Sequence, residues 1–160
     1  IMIQSFGDVE TEKIYHQLKS KKLPYEIQKR ALVKLLLIDA AESEEDLKVP
    51  PGNRFEHLSG RLQGCNLTPK IGDILKEEFL EPLGITPYRL SKEIHVSTSS
   101  VLDLVHNKRK ITVDMALRLS KFFGTSYKFW LNLQNELDVR ETRSKIGAEL
   151  NNIHSFTPTA

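Results

Sequence analysis

Apolar positions fall into two regimes along the chain. Near the start, Met2 to Phe6 alternates like a short strand, and Gly7-Asp8 closes it, with Asp8 placed to cap a helix running through Glu12 and Ile14 to about Leu18. Pro24 suits the first turn of a second helix. Its face of Ile27, Ala31, Leu32, Leu35, Leu36 and Ile38 extends to about Ala41. Ser43 to Asp46 reads as a cap and a single turn. Pro50-Pro51-Gly52-Asn53 is a turn cluster, and Arg54 to Leu58 reads as a strand closed by Ser59-Gly60. Strand, helix, helix and strand make an incomplete list of parts, because two short strands form a sheet of marginal stability and two broad helix faces need more to cover.

From Pro69 the period is helical throughout. Helices are predicted over Ile71 to Leu80, Pro87 to Ile94, Thr98 to Val105, Val113 to Phe123 and Ser126 to Leu137, joined by short connections. The change of regime falls near Gly64-Cys65, which divides the chain into residues 1–64 and 65–160. The last ten residues, Asn151 to Ala160, are polar and read as a frayed tail.

Within the second part, two brief helices flank the turn His95-Val96-Ser97. Thr86 and Ser97 are their cap residues, and Pro87 sits in the first turn of the earlier helix. Val101, Leu104 and Val105 form the buried stripe of the second, leaving Ser99, Asp103 and His106, flanked by Ser100 and Leu102, on the outside. Two short helices with a tight turn and a hydrogen-bonding outer face are the parts of a helix-turn-helix unit, whose second helix enters the major groove of DNA. His106-Asn107 reads as a turn with Asn107 at positive φ, throwing out Lys108, Arg109 and Lys110 beside that helix. Such a cluster supplies attraction to phosphates, while Ser, Thr and Asp side chains can read base edges. Capping serines and a solvated basic loop would give the same pattern.

Charge matters only locally. The 23 basic and 21 acidic residues nearly balance, so bulk charge points to neither nucleic acid nor membrane surface. Residues 1–64 hold 10 of each sign, which leaves the excess of +2 to the second part. Between Thr86 and Val113, Arg89, Lys92, Lys108, Arg109 and Lys110 face only Glu93 and Asp103.

The single cysteine, Cys65, allows no internal disulfide and no cysteine metal cluster, which fits a reducing cytoplasm. The longest apolar run, Ala31 to Ile38, contains Lys34 and falls far short of the roughly 18 residues of a membrane span. No signal-peptide pattern is expected at the start. The histidines at 16, 57, 95, 106 and 154 form no i, i+4 ligand pair, and the glycines form no nucleotide loop, so neither a metal nor a cofactor is expected.

Two resemblances add to this reading. "TPKIGDILKEEFLEPLGIT", the helix pair and "KRKITVDMALRLSKFFGTSYKFWLNLQ" resemble a HigA-type antitoxin of the Xre helix-turn-helix family over Thr68 to Leu137. The resemblance implies a mainly α protein with a five-helix, lambda-repressor-like domain. It also implies operator DNA bound through the second and third helices, repression of the protein's own operon, and a RelE/HigB-type toxin as partner. By position it places Ser97, Thr98, Ser99, Ser100, Asp103, Lys108 and Arg109 on or beside DNA. Ser100 stands where the family often has a long basic or amide residue, and His106-Asn107 where it often has Asn-Gly.

"MIQSFGDVETEKIYHQLKSKKLP" and "EDLKVPPGNRFEHLSGRLQG" resemble the amino-terminal part of a HigB toxin of the RelE type. That family cleaves messenger RNA with residues on later strands, and this chain passes from Gly64 into antitoxin-like sequence instead. RNA cleavage needs a convergent base, cation and acid. Residues 1–64 offer His57, Arg54 and Arg61 in one loop and His16 elsewhere. The expectation is an incomplete α+β segment without catalytic residues, followed by a DNA-binding domain whose contacts are Arg89, Ser97 to Ser100, Asp103 and Lys108 to Lys110. Two other readings remain: a toxin-neutralising interaction module, and an endoribonuclease completed by strands supplied in trans.

Finally, "TSYKFWLNLQNEL" carries two apolar stripes, Tyr127, Trp130, Leu131 and Gln134 on one and Phe129, Leu133 and Leu137 on the other. A helix apolar on two sides either lies wholly in the core or packs inward and also pairs outward, and the second case predicts a two-fold dimer on a palindromic site.

Overall fold

A computed structural model describes residues 3–43, 46–47 and 69–154. Among these residues, seven helical elements organise the fold: α1 (Val9–Tyr15), α2 (Tyr25–Ala40), α3 (Ile71–Ile74, continued by the π-helical turn Leu75–Leu80), α4 (Pro87–Glu93), α5 (Thr98–Val105), α6 (Val113–Phe123) and α7 (Tyr127–Leu150). The chain is mainly α, as its periodicity predicts, and the described residues contain no strand.

The strand expected at Met2 to Phe6 is therefore corrected over Ile3 to Phe6. Among the described residues no strand lies beside it, and the Ile3 N–H donates to Asp39 Oδ1 at 3.3 Å. The Arg54 to Leu58 strand, the Pro50 to Asn53 turn and the Gly64-Cys65 junction lie outside the described residues, as does part of the Ser43 to Asp46 turn.

Asp8 caps α1 as expected, accepting from Thr11 N at 2.8 Å. The helix stops at Tyr15, short of Leu18, because Gln17 turns left-handed at φ 60°. Leu18 N–H then donates to Lys13 O at 2.7 Å and Gln17 N–H to Ile14 O at 2.9 Å, a Schellman closure. Buried Gln28 ties the connection to α2: its amide donates to Ser20 O and Leu23 O and accepts from Ser20 N.

The inward arc of α2 is rotated from the one expected. Leu32, Val33, Leu36, Leu37 and Ala40 are buried, whereas Ile27 is 49% and Ile38 38% exposed. The row at Gln28, Leu32, Leu36 and Ala40, spaced by four, faces the rest of the protein.

α3 begins as predicted but widens. Glu81 N–H bonds Lys76 O at 2.9 Å, five residues back, so Leu75–Leu80 forms a π-helical turn rather than a plain helix. Leu75, Phe79 and Leu80 are buried together, and Glu78 lies inward against Lys34 of α2.

α5 and α6 match their predicted limits. Thr112 caps α6, and Gly124, at φ 74°, ends it in the left-handed region. α7 runs past Leu137 to Leu150. No residue after Leu137 is buried in that helix, so the extension has no apolar stripe to announce it. Polar pairs spaced by four sustain it: Gln134 to Asp138, Arg140 to Glu136 and Lys145 to Glu141.

One core joins these helices. Phe79 meets Trp130 at 4.7 Å and Phe123 at 5.1 Å between ring centroids, and the Trp130 indole donates to Thr125 Oγ1 at 2.7 Å. Gln134 is buried too, accepting from Ile111 N at 2.9 Å. Both stripes of α7 thus enter the interior, with Tyr127 left 44% exposed, and α2 packs along the same helix within the same hydrophobic cluster.

Candidate nucleic-acid interface

α4 and α5 are built by local capping. The Thr86 side chain accepts from Arg89 N at 3.1 Å behind Pro87, and Ser97 accepts from Ser100 N at 3.2 Å. Between them His95 adopts φ 54°, Val96 N–H donates to Ser91 O and His95 N–H to Lys92 O. Asn107, at φ 59°, closes α5 in the same way, with Lys108 N–H on Asp103 O and Asn107 N–H on Leu104 O. The positive φ expected of Asn107 is present; that of His95 had no sequence signal.

The buried stripe of α5 is Val101, Leu104 and Val105. Ser97 Oγ, held by Ser100 N, shares hydrogen bonds with Ser99 Oγ at 3.0 Å and Ser100 Oγ at 2.8 Å, so three hydroxyls form one exposed group at the helix start. Thr98 differs: its hydroxyl is 3.0 Å from that of buried Ser91, fastening α5 to α4. Ser99, Leu102 and His106 are exposed along the outer face, and Asp103 is half-buried beside them.

The basic residues separate by environment. Arg109 donates to Ser100 Oγ at 3.3 Å, which brings its guanidinium to the hydroxyl group; Lys108 is exposed next to it. Lys110 turns toward α7 and pairs with Asp138 at 3.0 Å. Arg89 stays 65% exposed at its side chain on α4, only 4.0 Å from Glu93. The structure therefore brings Ser97, Ser99, Ser100 and Arg109 into one network and sets Thr98 and Lys110 to structural contacts.

Two positioning features were not legible in the sequence. Arg118 on α6 donates to Ile94 O at 2.9 Å and His95 O at 3.3 Å, bracing the turn between α4 and α5, while Asp114 holds its other edge at 2.9 Å. At the far end of α5, Asn107 Oδ1 accepts from Gly72 N at 2.8 Å and its amide donates to Asp73 Oδ1 at 2.8 Å. No hydrophobic pattern signals either contact, because both join polar groups across helices.

Among the described residues no His, Cys, Asp and Glu group could hold a metal ion, and no helix is long and apolar enough to cross a membrane. His16 lies edge-on to Tyr15 at 5.4 Å and to Phe6 at 6.3 Å. Arg54, His57 and Arg61 lie outside the described residues.

Capped short helices at a tight turn, with one polar helix face outward, define a helix-turn-helix protein. The helix-turn-helix family matches residues 76–130, and the family described as RelE-like toxin of type II toxin-antitoxin system HigB matches residues 4–68. Virulence-associated protein I of Dichelobacter nodosus is 43% identical over 79 residues, covering 48% of this chain and 73% of that one. Toxin HigB-1 of Vibrio cholerae is 45% identical over 68 residues, covering 41% of this chain and 72% of its own. The structure of Pseudomonas aeruginosa antitoxin HigA with the higBA promoter superposes with a TM-score of 0.54 at 35% identity, over 56% of this chain and 99% of that one. The chain belongs to the HigA-type family of helix-turn-helix antitoxins, and a HigB-like segment precedes that part.

Proposed function

We propose that the chain is a sequence-specific DNA-binding antitoxin and autorepressor, and that its HigB-like segment is a catalytically inactive toxin remnant. The observation that carries this reading is the outer face of α5, where the capped serine group meets Arg109 beside exposed Lys108. Its likeness to an antitoxin solved with promoter DNA supports the same role.

Ser97, Ser99, Ser100 and Asp103 meet base edges or sugar-phosphate, with Thr98 holding the helix to α4. Lys108 and Arg109 neutralise phosphates, Arg89 adds to them from α4, and Lys110 shares its charge with Asp138. Both apolar stripes of α7 lie inside the fold, so the two-copy arrangement rests on the geometry usual for helix-turn-helix proteins, whose recognition helices meet successive major grooves of a palindromic operator about one turn apart. The protein works in the cytoplasm, and its toxin-side partner is a RelE/HigB-type chain.

The test pairs two kinds of variant. Replacing Lys108 and Arg109 by alanine weakens binding to every duplex and lowers the salt slope by about one for each phosphate no longer neutralised; Ser99→Ala changes the preferred sequence instead. Loss of sequence preference and salt slope together in both variants would contradict these roles. Binding that ignores both sequence and salt in the unaltered protein would favour a toxin-neutralising interaction module, a reading supported by the docking of α2 on α7.

A further inference from the structure

α1 and α2 lie within residues 4–68, the part similar to a toxin; α2 packs on α7 of the part similar to an antitoxin, and α1 reaches that helix through Tyr15 and Arg140. Relatives of the two parts are separate proteins, named toxin and antitoxin. Here the two surfaces meet inside one chain.

Their contact has the anatomy of a specific protein interface. Leu32, Leu36 and Ala40 are buried from the toxin-like side and Leu133 and Leu137 from the antitoxin-like side, within one cluster. Charged and polar groups matched in sign surround them. Lys34 pairs with Glu78, and Glu42 with Lys128 at 3.3 Å. The Asp46 carboxylate accepts from both Ser126 N at 2.6 Å and Ser126 Oγ at 3.0 Å, sitting at the start of α7 while only 1% exposed. The Arg140 guanidinium lies 4.5 Å above the Tyr15 ring and donates to the Tyr15 carbonyl. Matched charges on both sides of an apolar centre distinguish a selected partner surface from incidental packing.

We propose that α1 and α2 are a built-in occupant of the surface through which this antitoxin part takes up a HigB-type toxin. A toxin in trans therefore binds only after the pair has undocked. The proposal rests on the antitoxin reading above and adds a regulation to it. Covalent linkage presents the occupant at an effective concentration on the order of millimolar, so a free toxin competes at a disadvantage. Its apparent affinity falls by the fraction of molecules that are undocked.

The experiment uses the full chain and, as probe, the Vibrio cholerae HigB-1 toxin. Substitutions are confined to the occupant's side, Tyr15→Ala with Lys34→Ala, and separately Leu36→Asp, so that Glu78, Ser126 and Arg140 stay intact for the incoming toxin. Limited proteolysis within α1 and α2 reports undocking, and duplex binding reports that α4 and α5 remain folded. The undocked variant binds toxin at least about tenfold more tightly than the unaltered chain, whose association rate levels off with toxin concentration because undocking limits it. Equal, weaker or absent toxin binding in a variant whose α1 and α2 have become protease-sensitive overturns the proposal. A rate that rises linearly with toxin in the unaltered chain overturns it as well. Either failure leaves the duplex result standing, so it is distinguishable from failure of the repressor reading.

Discussion

At Gly72 the backbone of α3 touches the end of α5. A Cβ there would lie 2.2 Å from Leu104 O, 2.6 Å from Val105 O and 2.7 Å from Asn107 Oδ1, and two of these are fixed backbone atoms. The Gly72 N–H uses the close approach to hold the Asn107 side chain, which sets where α5 ends and where Lys108 and Arg109 leave it. Gly72→Ala is expected to cost about 1–3 kcal/mol by overpacking, seen as a lower denaturation midpoint, with the loss shared by specific duplex binding. An unchanged midpoint would show that α3 can move away freely. The left-handed turn at Asn107 is legible in the sequence because asparagine tolerates it, and the serine cap because Ser97 precedes an apolar stripe. The roles of Gly72 and Arg118 are not legible there, because their partners lie 35 and 24 residues away along the chain.

Helix starts were more legible than helix ends. Asp8, Thr86 and Ser97 each accept the hydrogen bond that a cap residue is chosen for. Ends depend on which residue turns left-handed, and Gln17 is not a residue type that signals such a turn. The extension of α7 shows the converse, since polar pairs prolong a helix that burial no longer supports. How α1 joins α2 makes a pH prediction. Burial first, and then the hydrogen bond to Asp39, push the Tyr15 hydroxyl from 10.0 up to about 12. Below pH 10 folded and unfolded chains both carry the neutral phenol, and its contribution is complete. Between about 10 and 12 the unfolded chain ionises first, so the fold loses stability as pH rises. Phenolate absorbance of the protein should contain a late-titrating component that Tyr15→Phe removes. A phenolate titration that Tyr15→Phe leaves without loss of a late component would contradict this contact.

On the scale of the molecule, the mainly α fold and the order of its elements were readable because the apolar period from Pro69 is helical with almost no interruption. The packing of α2 on α7 was not. An isolated reading leaves α1 and α2 as an apolar pair without a sheet, prone to aggregate, whereas the structure covers α2's Leu32 and Leu36 completely. Contacts such as Asp46 to Ser126 and Arg140 to Tyr15 span 80 and 125 residues, beyond any local pattern. Asp46→Ala is expected to lower stability by about 1 kcal/mol through loss of its hydrogen bonds at the start of α7, read as a shifted denaturant midpoint with the same slope. No shift would mean that Ser126 alone suffices there.

The proposed repressor role requires that α5 reads DNA and that its basic flank grips the phosphates. Fluorescence anisotropy of the pure protein on the DNA upstream of its own gene and on scrambled duplex, repeated from about 50 to 200 mM salt, tests it most directly. Tight binding to the upstream duplex, weak binding to the scrambled one, and a steep loss of affinity with salt in both are the expected result. Equally weak binding to the two duplexes, with little response to salt, would contradict it.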